Sequence, residues 1–133
     1  MTVINTLPHD INIVKDCGFD PKIRKYIGNK IDYTYPSVLK DENSPYKVLN
    51  AKIDTVYDKI IDNIPIFIKK IVDCDDFPSV NDDDIIIVSV LYASAFYHKF
   101  GYYPPQMYLV ADPVMNINDT SKFLGCRGLT KPF

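Results

Sequence analysis

Three side chains stand where chemistry could be built: His9, Ser89 and Arg127. His9 closes the stretch Asn5-Thr6-Leu7-Pro8-His9. An imidazole there could act as a general base or as a hydrogen-bond donor to a ligand. The competing role is structural, because either ring nitrogen can donate or accept within a turn. Ser89 follows the apolar run Ile85-Ile86-Ile87-Val88 and precedes a helical pattern. A helix N-terminus has free N–H groups and a partial positive charge, which suit an anion. No glycine-rich loop precedes Ser89, so helix capping is its simpler role. There is no Gly-x-Ser-x-Gly, so it is not a nucleophile elbow. Arg127 is one of two arginines and lies between Gly125 and Gly128. Its rigid fork fits a carboxylate or phosphate. The alternative is an ion pair with Asp10, Asp112 or another aspartate. Together, His9, Ser89 and Arg127 are the expected ligand-binding set, with a small anion as the ligand.

The other reactive types carry less. Cys126 adjoins Arg127, which could lower its pKa. Neighbours on a strand point to opposite faces, however, so Cys126 reads as a small buried hydrophobe. Cys17 and Cys74 have no partner, and no Cys/His spacing fits a metal. The runs "DCDD" (73–76) and "NDDD" (81–84) lack the glycine and closing glutamate of a calcium loop. They read as a solvated acidic loop. No catalytic residue, metal or cofactor is expected, and an enzyme using His9 with Cys126 or an aspartate ranks last. Tyr102, Tyr103 and Tyr108 surround Pro104-Pro105 and form either a core edge or an exposed contact patch.

Bulk properties limit the partners. The 133 residues suit one domain, 1–133. A net charge of −2 with scattered lysines gives no basic face, so nucleic acid is not an expected partner. The longest apolar runs are four or five residues, too short to span a bilayer, and no membrane association is expected. No signal peptide is indicated. Three scattered cysteines point to a reducing compartment, the cytoplasm. Basic residues are nearly all Lys and acidic ones nearly all Asp, the texture of an AT-rich genome.

Periodicity supplies the elements. Residues 3–14 alternate around Pro8 and predict an N-terminal hairpin. Residues 15–45 are weakly patterned and read as loop, with room for one short strand or helical turn. Two readings compete over 45–61. Ser44-Pro45 could start a helix, with Leu49, Ile53, Val56 and Ile60 at helical spacing. Alternatively, Asp62-Asn63 turns a β-hairpin between two Ile-rich runs, and Pro65 forbids a continuous helix through 62–66. Residues 85–88 read as strand and 89–100 as the principal helix, ended by Gly101 and two prolines. Residues 107–115 and 123–129 read as strands around a turn. The expected fold is α+β, mostly antiparallel β hairpins with one principal helix at about 89–100.

Several of these pieces, in order, resemble a family of small uncharacterised proteins of phages, bacteria and large DNA viruses. They are Asn5-Thr6-Leu7-Pro8-His9, the turn Asp62-Asn63-Ile64-Pro65, Phe77-Pro78, Ile86-Ile87-Val88-Ser89 before Ala93 and Ala95, and Gly125-Cys126-Arg127-Gly128-Leu129. The order fits from residue 3 to 129 except across 15–50. Thr6 and Leu7 are exchanged relative to the family pattern, and Asn63 stands where glycine is usual. The resemblance implies a hairpin over 56–72 and no activity. The expected function is therefore a non-enzymatic accessory protein of viral or phage type, binding a small anionic ligand or host factor. The alternative is a structural or protein-interaction module, in the cytoplasm or in a virion, working through edge strands and the tyrosine patch. Spare sheet edges make a homo-oligomer a further expectation.

Overall fold

The computed structural model describes all 133 residues. In chain order the elements are β1 (Val3–Asn5), β2 (Ile11–Ile13), β3 (Cys17–Asp20), β4 (Lys25–Gly28), β5 (Tyr33–Tyr35), a 3-10 turn (Val38–Lys40), β6 (Ala51–Ile61), β7 (Ile64–Cys74), β8 (Ile85–Ile87), α1 (Val90–Phe100), β9 (Met107–Asn116) and β10 (Asp119–Thr130). The fold is α+β, mostly strand with one α-helix.

One sheet runs in the order β1-β8-β9-β10-β2-β5. Its ends meet. Asn5 of β1 bridges Ser37, just past β5, and its amide nitrogen donates to the Tyr35 carbonyl at 2.9 Å. The sheet is thus a small, nearly closed barrel. Alternation along each strand sends one face inward and one outward. Ile87, Leu7, Ile11, Ile13 and Cys126 pack together inside. Ile4, Ile86 and Met107 point outward and meet α1 through Tyr92, Ala93, Ala95 and Phe96.

The helix forms as its sequence predicts. The Ser89 hydroxyl accepts from the Tyr92 amide at 3.0 Å. Gly101 closes the last turn with φ of 82°, a left-handed conformation that suits glycine. Ala93 and Ala95 keep the buried face flat enough for close approach to the barrel.

Two expectations are corrected, and the open choice over 45–61 is decided for the hairpin. Residues 3–14 do not form a hairpin. β1 pairs with β8 in parallel, and β2 pairs with β10 in parallel and β5 in antiparallel. The Ile-rich β8 is buried and takes a partner on each side, as central parallel strands do. The segment around Pro8 therefore crosses the barrel between different strands. Residues 15–45 hold more than loop. They contain the β3–β4 hairpin, β5 and the 3-10 turn, and β4 continues alongside β9. No helix starts at Ser44-Pro45, and 51–61 is strand. Asp62 and Asn63 both take positive φ, 49° and 63°, in the two-residue turn that joins β6 to β7. The sheet also mixes parallel and antiparallel pairs, although the two longest ladders, β6–β7 and β9–β10, are antiparallel.

β6 and β7 form a separate two-stranded ribbon. Eleven residues per strand give it a length of about 35 Å. Only its root joins the core: Cys74 is buried beneath α1, with Ala51 and Ile71 against it. The rest projects as an arm. No helix is long and apolar enough to cross a membrane.

Candidate functional site

The three residues singled out from sequence do not share a cavity. His9 is exposed and lines an open cleft of about 510 Å³ that crosses β9, β10 and the start of β2. Neither Ser89 nor Arg127 lines it. The Ser89 hydroxyl is engaged at the helix N-terminus, as above. Arg127 donates to the Asp112 carboxylate at 3.0 Å and to the Tyr26 hydroxyl at 2.7 Å. Its guanidinium also lies 4.4 Å from the centre of the Tyr26 ring. It therefore ties β10 to β9 and β4 across the outside of the sheet.

The turn that carries His9 is held by Asn5. Its side-chain amide donates to the carbonyls of His9 and Tyr35, both at 2.9 Å, and its oxygen accepts from the Leu7 amide at 2.9 Å. Asn5 is buried, and its bond with the Leu7 amide forms away from water. The neighbouring Thr6 hydroxyl donates to the Ile87 carbonyl at 2.6 Å, and Ser37 donates to the Leu7 carbonyl. Sequence reasoning fixed on His9 and missed Asn5. The signal was a polar side chain at an inward position of an apolar alternation, immediately before a proline turn.

The charges around the cleft do not favour an anion. Its charged lining is Asp10 and Asp112, with His9 the one titratable base. Asp10 accepts from Lys40 at 2.6 Å and from the Ser37 amide at 3.0 Å. These bonds, Lys40 first, hold its carboxyl below the usual range. Cys126 lies at the cleft floor but is buried, and burial pushes its thiol up, away from thiolate chemistry. Gly125 explains how β10 and β2 come so close. A Cβ there would collide with the Asn12 carbonyl.

The acidic loop is structural at two points. Asp75 accepts from the Asn50 amide at 2.7 Å and from Lys47 at 3.2 Å, and its carbonyl accepts from the buried Tyr92 hydroxyl at 2.8 Å. Buried Asp84 accepts from the amides of Thr2 and Asn81, each at 3.0 Å. The tyrosine patch is an extension of the helix end. Tyr103 stacks on Tyr97 at 4.7 Å, and Tyr102 meets Phe96 edge-on at 5.6 Å.

The arm carries a run of exposed apolar side chains that no other element covers. Tyr57, Ile60, Ile61, Ile64 and Phe67 each keep half or more of their surface in solvent. The register places Tyr57–Phe67 and Ile60–Pro65 on the face that continues the core-facing root. It places Val56–Ile68, Lys59–Ile66 and Ile61–Ile64 on the other. The outer half of the arm is thus apolar on both faces. A two-stranded ribbon of this kind is marginal alone in water, and its outer edges carry unpaired backbone groups.

Comparison with protein-family models, curated proteins and solved structures finds no match to this chain.

Proposed function

We propose that the protein is a non-enzymatic interaction module whose working part is the β6–β7 arm. The observation that carries this reading is the projection of large aliphatic and aromatic side chains on both faces of a ribbon that the core does not cover. Exposed apolar surface of that extent marks a protein contact. The side chains that could do chemistry are engaged structurally: Ser89 as a cap, Arg127 in an ion pair, Cys126 in the core. An accessory role of viral or phage type fits the family resemblance noted above. The three free cysteines suit a reducing compartment such as the cytoplasm.

A second reading is a ligand site in the His9 cleft. Its volume falls in the range of small-molecule sites and its walls mix apolar and polar groups. The cleft lining contains no lysine or arginine, and its two carboxylates already hold Lys40 and Arg127, which weighs against the anionic ligand expected from sequence.

Site-specific photo-cross-linking separates the two. A photoreactive residue is placed at Phe67 on the arm or at Phe123 on the cleft, both solvent-exposed. Adducts of higher mass from position 67 and none from 123 support the arm. Protein adducts from 123 alone overturn it.

A further inference from the structure

We propose that the arm pairs with the arm of a second copy, β6 against β6 across a two-fold axis. This deepens the arm reading above and rests on it. The two edges of the ribbon differ in a way that selects β6. The β7 edge contains Pro65, which has no N–H, and the adjacent pair Lys69-Lys70, both devices that blunt an edge. β6 has no proline, and its charges are balanced: Lys52, Asp54, Asp58 and Lys59.

The register follows from the faces. Residues opposite each other across a two-fold pair must point to the same side of the sheet. β6 has an extra residue, Asp58, between Tyr57 and Lys59, so Lys59 returns to the face of Val56 and Asp54. With the axis at Val56, Val56 opposes itself, Thr55 opposes Tyr57, Asp54 opposes Lys59, Ile53 opposes Ile60 and Lys52 opposes Ile61. Two Asp54–Lys59 pairs then form, one on each side of the axis. An axis one residue lower, at Thr55, sets Lys52 against Lys59. An axis at Asp54 sets that carboxylate against itself. The register at Val56 therefore combines long overlap with opposite charges. None of these four charged side chains makes an ion pair within its own chain. An isologous contact of this kind closes as a dimer.

Sedimentation equilibrium of the full chain tests the proposal. Wild type is expected to form a dimer. Asp54→Lys or Lys59→Asp turns both opposite-charge pairs into like-charge pairs, and each is expected to weaken the dimer by roughly tenfold or more. Mixing the two variants restores both pairs, so a heterodimer of near wild-type affinity is expected. Asp54 stands opposite its own Lys70, so Asp54→Lys also strains the hairpin. Lys59 stands opposite Ile66, and Lys59→Asp alone keeps the test decisive. An unchanged dimer in Lys59→Asp, or no recovery on mixing folded variants, overturns the proposed register. A wild-type monomer that cross-links from position 67 to a different protein overturns the second copy as partner and leaves the arm reading standing. A monomer with no cross-link from position 67 removes both.

Discussion

Asn5→Ala removes the side chain that closes the barrel, and its cost can be worked from three hydrogen bonds. The Leu7 amide lies in a buried segment and would lose its acceptor. A buried donor left without a partner costs about 1–3 kcal/mol. The Tyr35 carbonyl loses its link to β1, which weakens the junction between the first and last strands of the sheet. The His9 carbonyl is at an exposed residue, so water replaces the amide at little cost. The total is roughly 2–4 kcal/mol, counting one full orphan and one partial one. At this chain length that is a fall in Tm of roughly 8–15 °C. Urea unfolding monitored by circular dichroism measures it. His9→Ala is the control, and its exposed ring predicts a change within about 0.5 kcal/mol. If Asn5→Ala is as mild as the control, or if His9→Ala costs as much as Asn5→Ala, the account of the turn is wrong.

Three further outcomes are expected. Gly125→Ala should destabilise the fold by about 2 kcal/mol or more, because the new methyl meets the Asn12 backbone, whereas Gly128→Ala meets nothing within 4 Å and should leave a smaller effect; chemical denaturation of the pair decides it. Acid should loosen the fold through Asp10 and Asp75, whose carboxyls are held low, Asp10 first by Lys40 and Asp75 first by the Asn50 amide. A lowered folded pKa gives stability that is present above the unfolded value of about 3.9 and lost as pH falls through the folded one, so Asp75→Asn should flatten the loss of urea midpoint between about pH 5 and pH 2. Native thiol labelling should reach half-exposed Cys17 well before Cys126, whose burial raises its pKa; equal rates would contradict the buried position of Cys126.

The legible parts of the fold were those with local causes. Ser89 and Gly101 bracket a helix because a cap and a left-handed closing residue act within a single turn. Asp62-Asn63 with Pro65 marks a hairpin for the same reason. The parts that misled depend on distant partners. Alternation in residues 3–14 shows that strands exist there but not which strands they pair with. Their partners lie at Ile85–Ile87 and at Cys126. The β3–β4 hairpin is exposed in its middle on β3 and passes from exposed Lys25 to buried Gly28 on β4, with no alternation of apolar and polar residues, so its periodicity is faint and its order comes from pairing with β9. At the candidate site, residue type alone drew attention to His9, Ser89 and Arg127. Arg127 was readable as an ion-pair partner of Asp112, because aspartates are so common in this chain. Asn5 was passed over because a buried amide looks like any polar residue until its three partners are in view.

The arm is proposed to be covered by a partner when the protein works. Oxidative footprinting in the intact expression host, compared with the purified protein at high dilution, tests it most directly. The rings of Tyr57 and Phe67 are expected to be protected in the cell and to become reactive on dilution, while Tyr102 and Phe123 react alike in both. Arm rings oxidised in the cell as freely as at high dilution would contradict it.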